Sequence, residues 1–129
     1  MYPEELHYTR THEWVMLDRD IARIGITFHQ QKELDNIVYV ELPELNTQVE
    51  QFVPFGVIES VKTMVEVCAP LSGRVIAINE ELEEDPTLIN QDPYGDGWIV
   101  EIEILDENEI KNLMTSKEYQ DFLLHGGEE

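Results

Sequence analysis

Lys62 stands in the run Glu59-Ser60-Val61-Lys62-Thr63-Met64, between two stretches patterned as β-strands. A lysine at a hairpin tip is ordinarily a solvated surface residue. Here it is one of only eight basic residues, and Glu59 lies three positions before it. An exposed amine on a rigid hairpin is what an enzyme needs in order to attach a prosthetic group. It also suits an arm that must swing into other proteins' sites. Cys68 is the one cysteine and forms no internal disulfide, which suits a reducing compartment. It alternates with Met64 and Glu66 and has no activating motif, so it is expected to be a buried structural thiol. His7, His12, His29 and His125 have no cysteine cluster beside them, and zinc needs three or four convergent ligands, so no metal site is expected. The densest acidic run, Glu80-Glu81-Leu82-Glu83-Glu84-Asp85, reads as a solvated face, because acid–base catalysis needs a carboxylate tuned by burial. No Gly-x-Gly-x-x-Gly, phosphate loop or Gly-x-Ser-x-Gly occurs.

The elements that must hold Lys62 read as mainly β through the first two-thirds of the chain. Runs 13–17 and 21–27 are short and rich in β-branched residues, with Asp18-Arg19-Asp20 as the hairpin turn. Run 28–34 is polar and lacks Gly and Pro, which fits one or two helical turns. Run 37–42 is a strand closed by Pro43. Run 52–61 contains Pro54 and Gly56, which predict an edge position, a bulge or a bend. Strands follow over 63–68 and 74–79. Run 98–104 has a clear period of two, with Trp98, Val100, Ile102 and Ile104 on one face. Residues 106–124 predict two short C-terminal helices packed on the edge of the β core. Asp106 with Glu109 is spaced as a capping box, and Ser116 is placed to cap the second helix. There is also an internal echo. Runs 35–40 and 56–59 match runs 72–77 and 98–101 as turn, strand, acidic loop, strand. Two such halves can interlock, each covering the other's apolar face, and their tight connection then falls near Val61 to Met64.

The 129 residues fit one domain over 1–129, with 42% hydrophobic residues to build its core. Twenty-eight acidic against eight basic residues give a net charge of −20. Such a surface repels nucleic acid and anionic membranes and leaves basic protein surfaces as partners. No apolar run is long enough to span a bilayer, and Met1-Tyr2-Pro3-Glu4-Glu5 lacks the features of a signal peptide. A cytoplasmic monomer is expected.

Six motifs in order resemble one known family, the lipoyl-carrying H protein of the glycine cleavage system. They are Thr11-His12-Glu13-Trp14-Val15, Gly25-Ile26-Thr27, Ile37-Val38-Tyr39-Val40-Glu41-Leu42-Pro43, Phe55-Gly56-Val57-Ile58-Glu59-Ser60-Val61-Lys62, Ala69-Pro70-Leu71-Ser72-Gly73 and Asp92-Pro93-Tyr94-Gly95-Asp96-Gly97-Trp98. The resemblance runs from about Tyr8 to about Phe122. It implies a barrel-sandwich hybrid of two interlocked β halves with short peripheral helices.

By the same resemblance, Lys62 carries lipoate as N6-lipoyllysine, with Glu59, Ser60, Val61 and Thr63 as its hairpin context. The carrier is not an enzyme. Its arm takes the aminomethyl group of glycine from the pyridoxal-phosphate-dependent glycine decarboxylase to the aminomethyltransferase, which passes a one-carbon unit to tetrahydrofolate. Dihydrolipoyl dehydrogenase reoxidises the arm, and lipoate-attaching enzymes install it. Thr11, Glu13 and Glu66 match the positions that shelter the loaded arm in a surface cleft. The sequence departs from the family at Phe28-His29-Gln30-Gln31, at Leu34-Asp35-Asn36, at Met64-Val65 and at Cys68, all around the hairpin and the cleft. The alternative reading is an H-like lipoyl carrier serving another pathway, such as sulfur oxidation, a lipoate relay or a redox response. An unlipoylated interaction module is a third. A biotinyl carrier fits less well, since Val61-Lys62-Thr63 lacks the Met-Lys-Met of biotin attachment.

Overall fold

In a computed structural model the structure describes residues 1–126. Among the described residues nine strands form two antiparallel sheets. Strands β1 (His7–Tyr8), β2 (Glu13–Asp18), β3 (Ile21–Ile26), β5 (Gln48–Val49), β8 (Gly73–Ile78) and β9 (Val100–Ile104) make one sheet, in the order β1-β2-β3-β9-β8-β5. Strands β4 (Ile37–Glu41), β6 (Pro54–Ser60) and β7 (Met64–Cys68) make the other, in the order β4-β6-β7. The echoing segments supply the pair β4 with β6 in one sheet and β8 with β9 in the other.

The first hairpin follows from its residues. Asp18 pairs Ile21, so Arg19 and Asp20 alone make the turn, with Arg19 in the left-handed region at φ 61°. At its far end both faces of β2 are covered. Val15 joins the main core, while Trp14 joins a second cluster with Leu6, Tyr8 and Tyr119. Gly25 lies opposite Trp14, and a Cβ there would stand 2.6 Å from the indole. A glycine is therefore required for the tryptophan to lie flat across β3. The Trp14 Nε1–H donates to the Pro93 carbonyl at 2.9 Å, as a buried indole must find an acceptor.

Helix α1 (Phe28–Leu34) starts where expected, its N-terminus capped by the Thr27 hydroxyl, which accepts from the Gln30 N–H. Its Leu34 joins Ile24, Ile37, Ile58, Val75 and Ile102 between the two sheets. Burying each such side chain contributes about 2 kcal/mol. Helices α2 (Glu81–Glu84) and α3 (Leu88–Gln91) add Leu82 and Ile89 to the same core.

Three local expectations change. Strand β6 is the centre of its sheet, not an edge. Pro54 is tolerated because it is the first residue of the strand, and the expected bulge falls between Pro54 and Gly56. The segment after Asp106 is a 3₁₀ turn, Glu107–Asn112. Asp106 caps it through the Asn108 N–H, but Glu109 does not close a box. Its carboxylate instead accepts from the Ser72 N–H at 2.7 Å and from the Ser72 hydroxyl at 2.8 Å. The last helix, α4 (Ser116–Leu124), is capped by Thr115 rather than Ser116, in a complete capping box with Glu118. Ser116 is buried and donates to the Tyr2 carbonyl at 2.5 Å, joining the N-terminal segment to α4.

Candidate functional site

Lys62 sits in the turn between β6 and β7, beyond the last ladder pair, Glu59 with Met64. The turn is braced by one hydroxyl. Ser60 Oγ accepts the N–H groups of Lys62 and Thr63, both at 3.1 Å, and lies 3.2 Å from the Thr63 carbonyl. The Ser60 N–H donates to the Thr63 carbonyl at 2.8 Å. The Val61 N–H donates to the Asn36 carbonyl at 3.0 Å, tying the turn to the start of β4. The backbone at Lys62 is therefore held from both sides, while its side chain is exposed. No carboxylate pairs with its ammonium among the described residues. Around it Val61 and Met64 are exposed, and Tyr39, Glu59 and Met64 lie in one row across the three strands.

Glu13 begins β2 and is buried, at 1% exposure. Its Oε1 accepts from Thr9 Oγ1 at 2.6 Å and from Thr11 Oγ1 at 2.5 Å, and its Oε2 accepts the Cys68 N–H at 2.9 Å. The carboxyl thereby links β2 to β7, one strand from each sheet. Burial pushes its pKa up to about 7, against the opposing pull of these hydrogen bonds. Thr11 and Glu13 are thus brought together, but Glu13 lies beneath the threonines rather than in the open. Glu66 projects from the exposed side of β7, on the same side as Met64 and Cys68. Cys68 is half-buried rather than fully buried. Burial first, and then the Glu13 carboxyl, push its thiol pKa up, which disfavours a nucleophilic thiolate.

Beside Thr11 opens a cleft of about 270 Å³, lined by Tyr8, Thr9, Arg10, Thr11, Phe52, Asn112 and Met114. Of these, sequence reasoning singled out only Thr11. Thr9 could have been found from its place four residues before Glu13. Phe52 carried no signal, because a non-glycine residue at φ 67° has no mark in the sequence. Next to the cleft, the Tyr119 hydroxyl lies 2.8 Å from both His12 Nδ1 and Thr27 Oγ1, and so holds α4 against β2 and the cap of α1.

This arrangement pairs a braced turn presenting one lysine with a neighbouring cleft backed by a buried carboxyl, and it has known counterparts. The family model described as Glycine cleavage H-protein matches residues 6–126. The chain belongs to that family. The glycine cleavage system H protein of Halothermothrix orenii is 48% identical to it over 121 residues, covering 94% of each chain. That of Bacillus licheniformis is 46% identical over 121 residues, covering 94% of this chain and 95% of the relative. Among solved structures, a glycine cleavage system H protein from Mycobacterium marinum superposes with a TM-score of 0.83 at 32% identity, covering 92% of this chain and 96% of that one. As an H protein of glycine cleavage, the chain is a non-catalytic carrier whose family bears lipoyl-lysine. The residues fit that group: one lysine stands on a fixed backbone with its amine free for acylation.

Proposed function

We propose that Lys62 is the point of lipoyl attachment and that the chain shuttles the aminomethyl group between the enzymes of glycine cleavage on that arm. The observation that carries this reading is the turn itself, which holds the Lys62 backbone rigidly and leaves the amine unpaired. Lipoate supplies a disulfide that accepts the cargo and is reduced in doing so. Everything else falls to the protein. Ser60 shapes the turn, and Glu59 and Thr63 flank it for the attaching enzyme. The hydroxyls of Thr9 and Thr11, oriented by the Glu13 carboxyl, face the cleft that receives the cargo end. Glu66 lies along the path from Lys62 to that cleft and offers a carboxylate to a cationic amine.

The partners in this reading are the pyridoxal-phosphate-dependent decarboxylase, the aminomethyltransferase, dihydrolipoyl dehydrogenase and the lipoate-attaching enzymes. The compartment is the cytoplasm. No helix among the described residues is long and apolar enough to cross a membrane.

The test is mass spectrometry of protein from a lipoate-competent cell. Wild-type chain gains the mass of lipoic acid less one water at Lys62, and the Lys62→Arg variant gains nothing while keeping its thermal transition. An unmodified wild type, or a modified variant, overturns the assignment.

A further inference from the structure

Phe52 combines three properties that seldom occur together. Its φ is 67°, in the left-handed region that bulky side chains avoid. Its side chain is nearly half exposed, at 48%. It lines the cleft that also holds Thr11. The strained backbone is imposed by its surroundings. The Phe52 N–H donates to the Ala69 carbonyl at 2.6 Å, and the Val53 N–H donates to the Glu50 carbonyl at 3.0 Å. The Gln51 N–H donates to Ser72 Oγ, and its side-chain amide donates to the Pro70 and Glu109 carbonyls. A glycine would occupy this turn without strain. The phenyl ring is not buried in the core, so core packing does not account for it.

Reach indicates what the ring meets. From Met64 to Cys68 is four steps of β7, about 13 Å at the rise of an extended strand, and Lys62 lies two residues earlier, in the turn. The Cys68 N–H is bonded to Glu13, and Glu13 to Thr11, so the cleft opens past the Cys68 end of β7. A lipoylated lysine bearing an aminomethyl group spans roughly sixteen bonds from Cα to the terminal nitrogen, about 20 Å when extended. An arm laid along β7 therefore brings its cargo end to the cleft.

We infer that Phe52 is the apolar far wall of the cleft and shields the cargo end of the loaded Lys62 arm from water. This rests on the reading of Lys62 as the lipoyl site and of the cleft as its shelter. Unprotected cargo is lost by hydrolysis. Water is consumed, the S–CH₂ bond breaks, the sulfur leaves as a thiol, and formaldehyde and ammonium are released, with no change of oxidation state. An apolar wall in the cleft that the two threonines also line leaves such a water without a partner on that side. It also offers its face to the cationic amine.

The experiment uses lipoylated protein, verified by mass, reduced and loaded by the reverse reaction with formaldehyde and ammonium. The Phe52→Gly variant should melt no lower than wild type, because its strain is relieved, yet lose its cargo at least fivefold faster. Phe52→Leu should keep most of the protection. In wild type, the ring resonances of Phe52 should move on loading while those of Phe28 stay in place. A Phe52→Gly lifetime equal to wild type, or an unmoved Phe52 signal, overturns the inference. If Glu13→Gln shortens the lifetime while Phe52→Gly does not, the cleft stands and only the role of Phe52 falls. If neither variant has an effect, the shelter itself is wrong.

Discussion

Glu13 concentrates the chemistry of the site at the residue scale. It is buried, it accepts three hydrogen bonds from other residues, and its pKa lies at about 7. Its folded pKa is raised above the unfolded value of 4.5. The folded state therefore holds its proton more tightly, and the stability this contributes is fully present below about pH 4.5. That stability is lost as pH rises through about 7, and the whole gap corresponds to roughly 3 kcal/mol. Urea unfolding of wild type and Glu13→Gln at pH 5 and pH 8 measures it. The wild type should lose more stability between the two than the variant does, by an amount of that order. Equal losses would remove Glu13 from the account. Glutamine can still donate its amide to the threonines and accept from Cys68, so the fold survives the change. The cargo lifetime should nonetheless shorten, because the carboxylate available near neutral pH is gone.

At the scale of elements, the β6–β7 hairpin depends on Ser60. Its hydroxyl accepts two backbone N–H groups at an exposed turn, where water can partly replace it. Ser60→Ala should therefore cost only about 1 kcal/mol of stability. Its larger effect should be on the presentation of Lys62, seen as a slower rate of lipoylation by the attaching enzyme. A variant modified at the wild-type rate would show that the brace is dispensable. This hairpin was legible in the sequence because alternation flanks Glu-Ser-Val-Lys on both sides, although the turn joins β6 and β7 of one sheet rather than the two echoing pairs, which meet only after β7. Other elements were legible only in part, for physical reasons. Asp106 and Glu109 have the spacing of a capping box, yet Glu109 has a better partner in Ser72, thirty-seven residues away. Thr115 and Ser116 can both cap a helix. The choice falls to Thr115 because Glu118 lies three residues beyond it and because Ser116 is buried against Tyr2. Thr11 and Glu13 were legible from their motif. The rest of the cleft was not, since it is assembled from residues as far apart as Tyr8, Phe52 and Met114.

Over the whole molecule, charge dominates. A net charge of −20 on 129 residues gives a long-range field that attracts partners with basic docking faces. A carrier that visits several enzymes gains more from fast encounter than from tight binding. The apparent KM for this protein in the decarboxylase exchange reaction should therefore rise severalfold between low and physiological ionic strength. A KM independent of salt would place recognition in the apolar residues around Lys62 instead.

The bond from the Val61 N–H to the Asn36 carbonyl has a consequence for how the arm rests. With Lys62 as the attachment point proposed above, it makes the root of the arm a fixed pivot, so the arm's tip would be confined to a small volume that includes the cleft. Tethering of this kind corresponds to an effective concentration of millimolar or more. A cleft with an intrinsic affinity of about 0.1 mM, or about −5.5 kcal/mol, then holds the arm about nine-tenths of the time. A docked enzyme has to supply only a comparable amount to draw the arm out. An open cleft of such affinity is suited to a carrier that must protect its cargo and still release it on contact.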